Sequence, residues 1–190
     1  MSGAVELVTP RLRLRMPQRG DHVVLHELVA DPAVHRYLWP QPDDPLTDMF
    51  SRTLRAAGSW QLYGYGLFLA YERASGSFVG QMGVFHSWRG FGQGMDDVPE
   101  AGWIVAREHW GKGYAGEAMR AVLEWFDQAH GRSDARPDGQ ERPKGKQRIV
   151  CMIDPANTAS VALALRLGFV RYASRQTGEA DEVDLFERLG

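Results

Sequence analysis

The most constraining feature of this 190-residue chain is a glycine-rich heptapeptide between a strand-like run and an amphipathic helix. Its sequence is Trp110-Gly111-Lys112-Gly113-Tyr114-Ala115-Gly116. The run before it, residues 100–105, is largely apolar, and a helical pattern follows over residues 117–129. A glycine turn that opens a helix directs several unpaired backbone N–H groups towards one point, where the helix dipole adds positive charge. The heptapeptide therefore predicts a phosphate or pyrophosphate site.

Two nucleotide-binding motifs with glycine-rich turns fit this segment poorly. A P-loop requires G-x-x-x-x-G-K-[ST], which the chain lacks. The dinucleotide fingerprint G-x-G-x-x-G is matched literally by Gly111, Gly113 and Gly116. That motif should follow a strand directly and precede an acid by about 20 residues, whereas residues 107–110 intervene and the next strand ends at Asp154. A purely structural alternative is that the glycines only permit a tight turn.

The composition excludes several other classes of protein. The net charge of −2 gives no reason to expect a nucleic-acid-binding or anionic-membrane surface. No stretch reaches the roughly 18 apolar residues of a membrane span, and there is no secretory signal pattern, so we expect a cytoplasmic protein. The single cysteine, Cys151, lies in an apolar run, which predicts a buried thiol. The six histidines have no convincing metal-ligand spacing, so no metal is expected.

Hydrophobic periodicity predicts one domain, residues 1–190, built on a mixed sheet. Strands are expected at residues 9–16, 66–72, 78–88, 100–105, 148–154, 170–174 and 183–188. Helices are expected from Asp21, from Asp31-Pro32, from Thr47 or Asp48 to about Ala57, over residues 117–129 and over residues 158–167. Residues 89–97 are predicted to form a mobile loop and residues 131–147 a flexible surface insertion. Mostly antiparallel strands with one parallel pair indicate an α+β fold with a mixed sheet.

Three sequence blocks carry a family resemblance. One is the run 100–105 followed by His109-Trp110-Gly111-Lys112-Gly113-Tyr114-Ala115-Gly116-Glu117-Ala118. Another is Asn157-Thr158-Ala159-Ser160 followed by Leu167-Gly168-Phe169, and the third is the opening Thr9-Pro10-Arg11-Leu12-Arg13-Leu14-Arg15. Together they resemble the GCN5-related N-acetyltransferase (GNAT) family, and the third block resembles its ribosomal-protein alanine N-terminal acetyltransferase branch. The resemblance covers essentially the whole chain and implies a mostly antiparallel central sheet with a splayed parallel pair and flanking helices.

The chain departs from the general family pattern at three places. The cofactor motif begins with Trp110 instead of Gln or Arg, as is usual in the branch that the third block resembles. Ala164 stands where many relatives have a tyrosine that acts as general acid, so any acid must come from elsewhere. The insertion at residues 131–147 is longer than is typical.

The resemblance implies acetyl-CoA as co-substrate and assigns residues to it. The pyrophosphate would bind the backbone amides of Trp110, Gly111, Lys112, Gly113, Tyr114, Ala115 and Gly116. A Cβ at any of the three glycines would obstruct this approach; Lys112 either adds charge or faces solvent. Backbone groups of Ile104 and Val105 would lie along the pantetheine arm. Asn157 would hydrogen-bond that arm, cap the following helix, or do both.

Acetyl transfer to an amine requires a base, because an alkyl amine is mostly protonated at pH 7, and a donor for the departing thiolate. With the resemblance, Glu100 is the candidate base, and Asp96 and Asp97 are alternatives. Glu100 as a mere surface carboxylate at a strand end is the competing interpretation. Ser160 is the candidate donor to the thiolate, in place of the absent tyrosine. Its alternative is a serine that only satisfies an N–H group in the first helical turn.

The resemblance implies an N-acetyltransferase that works by direct transfer in a ternary complex. The leading acceptor is a protein N-terminal α-amine; a small-molecule amine (aminoglycoside, polyamine or amino-acid derivative) and a non-catalytic CoA-binding module are alternatives. Trp39, Phe85 and Trp88 are candidates for the acceptor pocket, although each also fits core packing. The chain is expected to be a monomer or a homodimer.

Overall fold

A computed structural model describes residues 5–38, 40, 42–90, 92–131, 147–176 and 182–189. The strands are β1 (Glu6–Val8), β2 (Leu12–Arg15), β3 (Leu67–Glu72), β4 (Phe78–Trp88), β5 (Asp96–Val105), β6 (Ile149–Ile153), β7 (Val170–Gln176) and β8 (Glu182–Arg188). They form one sheet in the order β1-β2-β3-β4-β5-β6-β8-β7. The helices are α1 (His22–Ala30), α2 (Pro32–His35), α3 (Pro45–Tyr63), α4 (Tyr114–His130) and α5 (Thr158–Arg166).

One pair of neighbouring strands in the sheet, β5 and β6, is parallel, and all other neighbours are antiparallel. The parallel pairing is confined to one register position, Glu100 opposite Val150. Beyond it the two strands continue without paired positions among the described residues, so the C-terminal half of β5 has an open edge towards β6. The predicted α+β fold, a mostly antiparallel sheet with one splayed parallel pair, is confirmed.

The helices cover the sheet on both faces. Buried residues of α4 and α5, among them Phe126 and Leu163, pack on the face that carries Ala101 and Val105 of β5. Buried residues of α1, α2 and the start of α3 pack on the opposite face, against Ile104. Because side chains alternate along a strand, Glu100 leaves β5 on the same face as Ile104, and Trp103 leaves it on the α4–α5 face.

Some element boundaries differ from the prediction. Helix α3 begins at Pro45 and runs to Tyr63, and its cap is Asp44, whose carboxylate accepts a hydrogen bond from the Thr47 backbone N–H at 3.1 Å. The predicted caps Thr47 and Asp48 are therefore wrong, because proline at the first helical position lets the helix start earlier. Helix α4 likewise begins at Tyr114, within the glycine segment.

The loop predicted for residues 89–97 is shorter than expected, because Asp96 and Asp97 already belong to β5. The carboxylate of Asp96 accepts hydrogen bonds from the backbone N–H groups of Gly90 (2.5 Å) and Gly92 (2.7 Å). These bonds lower the pKa of Asp96, that from Gly90 contributing most. Arg148, the residue before β6, donates to the Gly94 carbonyl at 2.7 Å, so the loop is bound both to the start of β5 and to the start of β6.

Two sequence predictions lie outside the described residues. Trp39 is one, and nearly all of the predicted insertion, residues 132–146, is the other. Among the helices that are described, none combines the length and the apolar character needed to cross a membrane.

Candidate functional site

The glycine segment forms a tight turn between a 3₁₀ turn (Arg107–His109) and the start of α4. Gly111 and Gly113 have φ values of +74° and +79°, in the left-handed region that side chains other than glycine rarely adopt. Gly113 occupies the N-cap position without a capping side chain. Within the part of the chain that the structure describes, no side chain caps the N–H groups of the first turn of α4, which leaves them for a ligand, as a helix terminus that binds phosphate requires.

Gly116 differs from the other two glycines of the motif. Its backbone is helical, and an added Cβ would lie at ordinary contact distances, 3.5 Å from Arg120 and 3.6 Å from Leu163. The fold itself therefore does not require glycine at this position, and the predicted obstruction by a Cβ there depends on the bound ligand.

The segment before β2 clamps the glycine turn through Glu117. One oxygen of Glu117 accepts hydrogen bonds from the Thr9 hydroxyl (2.6 Å) and the Arg11 backbone N–H (2.9 Å), and the other accepts from the Arg11 guanidinium (2.6 Å). Arg11 also donates to the Lys112 carbonyl at 2.9 Å and lies over the Tyr114 ring. The opening Thr-Pro-Arg block thus holds the turn in place, a role that the sequence analysis missed.

Replacing Glu117 with glutamine should lower the free energy of unfolding by about 1–2 kcal/mol at pH 7, since the clamp loses its charged acceptor. Burial raises the pKa of Glu117, but hydrogen bonds from Thr9 and Arg11 outweigh burial and leave it below its ordinary value. The stabilisation is therefore complete above about pH 4.3 and is lost as pH falls through the lower folded-state pKa.

Urea unfolding of the wild type and Glu117→Gln between pH 3 and pH 7 checks this prediction. The exposed pair of Glu6 and Arg13 provides the control, because Glu6→Gln should change stability little. A difference between wild type and Glu117→Gln that stays constant over the whole pH range would contradict a role for the ionised carboxylate.

The residues of the glycine segment that are not glycine differ in their surroundings. The indole Nε1–H of Trp110 donates to the Val105 carbonyl at 2.7 Å, so that carbonyl is already engaged. Lys112 is exposed. Tyr114 is buried and its hydroxyl donates to Glu72, so only its backbone N–H is left to face a ligand.

The start of α5 lies against the C-terminal half of β5. The Asn157 side-chain oxygen accepts from the Ser160 backbone N–H at 3.2 Å, so Asn157 caps the helix, and its amide NH₂ is left to donate elsewhere. The Trp103 indole N–H donates to the Ser160 hydroxyl oxygen at 3.1 Å. Because that oxygen accepts from Trp103, the hydroxyl proton is oriented away from the indole. Trp103 was not among the predicted site residues.

The candidate base Glu100 is neither exposed nor at a strand end. It lies in the middle of β5 and is only 3% exposed. Both of its oxygens accept hydrogen bonds from the Arg89 guanidinium, Nε to Oε2 at 2.8 Å and Nη2 to Oε1. The alternative carboxylates are also engaged, since Asp96 binds the loop amides and Asp97 binds His86 at 3.0 Å. Glu100 is thus a buried carboxylate held by an arginine that the sequence analysis did not single out.

Of the aromatic residues predicted for the acceptor pocket, Phe85 lies next to Glu100. The two face each other across β4 and β5, on the same face of the sheet. The Phe85 ring also lies over Gly102, where an added Cβ would approach it to 3.2 Å. Trp88 follows a register shift at the end of β4 and is 74% exposed.

The sequence matches the family described as acetyltransferase (GNAT) domain over residues 11–170, most of the chain. The chain belongs to the GNAT acetyltransferase family. It is therefore an acyltransferase that uses acetyl-CoA, and the family resemblance of the three sequence blocks is confirmed.

Individual relatives agree with this assignment. The uncharacterized protein YkkB of Bacillus subtilis (strain 168) is 32% identical over 176 residues, which cover 88% of this chain and 87% of YkkB. A protein from Bordetella pertussis assigned to the GnaT family is 33% identical, with a TM-score of 0.78 over 97% of this chain and 99% of its own. The ribosomal-protein-S5-alanine acetyltransferase of Vibrio fischeri shares the fold at 16% identity, with a TM-score of 0.69 over 97% and 96% of the two chains.

The lone cysteine of this GNAT protein lies in the core of the sheet. Cys151 is buried in β6, as the sequence predicted. Burial raises the pKa of its thiol, and the negative charge of Glu100 raises it further. A thiol that stays protonated is a poor nucleophile, so Cys151 is a packing residue of this acetyltransferase.

Proposed function

We propose that this acetyltransferase moves an acetyl group from acetyl-CoA to the α-amine of a protein N-terminus, by direct transfer within a ternary complex. The observation that carries the proposal is the buried carboxylate of Glu100 at the point where the parallel strands part. The choice of a protein N-terminus rests on the branch resemblance of the opening block and on the fold shared with a ribosomal-protein acetyltransferase.

The cofactor would occupy the α4–α5 face of the sheet. Its pyrophosphate would bind the uncapped amides at the start of α4, and its amide-rich pantetheine arm would follow the open edge of β5 that includes Ile104 and Val105. Because Trp110 engages the Val105 carbonyl, the arm would use other backbone groups of this edge. The side-chain NH₂ of Asn157, which donates to none of the described residues, is a further donor to the arm.

Base and thiolate donor lie on opposite faces of the sheet. Trp103 and its partner Ser160 are on the α4–α5 face, whereas Glu100 and Phe85 are on the other. The thioester would therefore sit in the gap between β5 and β6, with the amine approaching from the Glu100 face. The acceptor and the cofactor would then enter from opposite faces of the sheet. Both can therefore be bound at the same time, as direct transfer requires.

The chemistry then follows in two stages. The ammonium of the acceptor loses a proton to Glu100, directly or through water, and the free amine attacks the thioester carbonyl. The tetrahedral intermediate collapses to the amide as the C–S bond breaks, and the Ser160 hydroxyl donates a hydrogen bond to the departing thiolate. The second proton of the amine nitrogen goes to that thiolate, which leaves as the CoA thiol, and Glu100 returns its proton to water. The methyl side chain of Ala164 has no proton to donate, so it cannot share this role with Ser160.

Release of CoA from acetyl-CoA in the presence of N-terminal peptides, lysine side-chain amines and small amines tests the proposal, alongside thermal stabilisation by CoA. We expect the highest kcat/KM for peptide α-amines. A higher kcat/KM for a small amine would show that the acceptor is a small molecule and not a protein N-terminus. Stabilisation by CoA without transfer to any amine would instead indicate a binding module.

Gly113→Ala should weaken CoA binding by roughly tenfold. An L-residue in the left-handed region costs about 1–2 kcal/mol, and relief of that strain moves the amides that face the pyrophosphate. Calorimetric Kd values for CoA provide the measurement. Gly58 in α3 is the matched control, because an added Cβ there meets nothing within 4 Å, and Gly58→Ala should leave affinity unchanged. If both variants bound CoA with the same affinity, the glycine turn would not be part of the CoA site.

A further inference from the structure

The ion pair between Arg89 and Glu100 imposes a condition on the acceptor that the proposed function does not specify. Both carboxylate oxygens already accept hydrogen bonds from the guanidinium. The role of Glu100 as base rests on the proposed function above. An ammonium group that approaches Glu100 competes with Arg89 for this carboxylate. Once Glu100 has taken the proton it is neutral, and the guanidinium has lost the negative charge that paired it.

The two members of the pair are buried to different extents. The Glu100 side chain is 4% exposed and that of Arg89 is 33% exposed. A buried carboxylate that loses its cation is strongly destabilised, so Glu100 can leave Arg89 only when another cation replaces it. The acceptor ammonium is such a cation. Arg89, which already reaches the surface, is the member that can turn outward.

The displaced guanidinium then needs an anion. The two carboxylates at the start of β5 already have partners, Asp96 in the backbone amides of Gly90 and Gly92 and Asp97 in His86. A carboxylate on the acceptor itself would meet Arg89 with the planar, two-bond geometry that guanidinium groups prefer. Two ion pairs would then replace one internal pair and one solvated zwitterion, without leaving a buried charge unmatched.

We propose that the acceptor is an amine that carries a carboxylate close to the reacting nitrogen, and that Arg89 recognises this carboxylate after yielding Glu100 to the ammonium. Arg89 is thus a specificity-determining residue. The chemistry fits a peptide N-terminus with an acidic residue in its second position, or a free amino acid. It disfavours polyamines and aminoglycosides, because their additional positive charges would lie beside the displaced guanidinium.

Matched acceptors measure the effect directly. The ratio of kcat/KM between otherwise identical peptides beginning Ala-Glu and Ala-Gln should be about tenfold or more in the wild type, which corresponds to about 1.4 kcal/mol. The ratio should fall to near one in Arg89→Gln and be intermediate in Arg89→Lys, which keeps the charge but not the two-bond geometry. Free alanine compared with alaninamide tests the amino-acid source, and spermidine represents the polycations.

Arg188→Gln is the control variant, because Arg188 also forms a two-bond pair, with Asp127 at 3.0 and 2.6 Å, at the far end of α4. It should lower stability without changing the Ala-Glu to Ala-Gln ratio. If Arg89→Gln does not fold, the wild-type ratio and Arg89→Lys decide.

Equal kcat/KM for the two peptides and for alanine and alaninamide in the wild type would overturn the proposal, as would a preference that survives in Arg89→Gln. Selective use of free alanine would support the role of Arg89 and contradict a protein N-terminus as acceptor. Transfer to no amine at all, with CoA still bound, would overturn the acetyl-transfer proposal itself.

Discussion

Glu100→Gln should lower kcat for acetyl transfer by about two to four orders of magnitude at pH 7. Glutamine has nearly the same shape and can still accept a hydrogen bond from Arg89, but it cannot take a proton from the ammonium. The loss should shrink as pH rises towards the pKa of the acceptor amine, because a growing fraction of the amine is then already deprotonated. CoA release measured from pH 6 to pH 10 gives the complete profile.

The matched control is Asp127→Asn, which removes the carboxylate of another arginine pair, on α4 and away from the glycine turn. It should keep the wild-type pH–rate profile while losing some stability. The affinity of Glu100→Gln for CoA should be unchanged, since the carboxylate faces away from the α4–α5 side. A pH–rate profile of Glu100→Gln that parallels that of the wild type would contradict the assignment of Glu100 as base.

Ser160→Ala should lower kcat by roughly 10- to 100-fold with little effect on CoA affinity. A hydrogen bond to a charged group is worth about 1.5–3 kcal/mol, and this one would form mainly as the thiolate departs. Helix α5 should tolerate the change, because its cap is the Asn157 side chain bound to the Ser160 backbone N–H. Single-turnover transfer to a peptide α-amine isolates the chemical step.

Two further variants distinguish catalysis from packing at this position. Trp103→Phe removes the N–H that orients the Ser160 hydroxyl while keeping an aromatic ring, so it should reduce kcat by a smaller factor than Ser160→Ala. Ser51→Ala deletes an exposed hydroxyl in α3 that donates to the Thr47 backbone carbonyl, and should leave kcat unchanged. If Ser160→Ala transferred acetyl groups at the wild-type rate, Ser160 would have only a structural role at the start of α5.

Much of the architecture was predictable because it depends on local patterns. The strands from β3 to β8 and helix α5 lie close to the predicted ranges, since alternation and helical periodicity are properties of neighbouring residues. Helix α3 begins earlier than predicted, because Asp44 and Pro45 form a stronger start signal than Thr47. Strand β5 begins earlier than predicted, because aspartate, the residue type of its first two positions, is rare in strands.

The sequence alone determined the glycine turn, the uncapped helix behind it and the family, because these depend on contiguous residues and on the conformational freedom of glycine. The tertiary structure alone decided how those parts are held and which charges meet. Thr9 and Arg11 reach Glu117 across more than a hundred residues, and Arg89 reaches Glu100 only through the pairing of β4 with β5. Long-range partners of this kind depend on sheet register and loop conformation, which one-dimensional patterns do not encode.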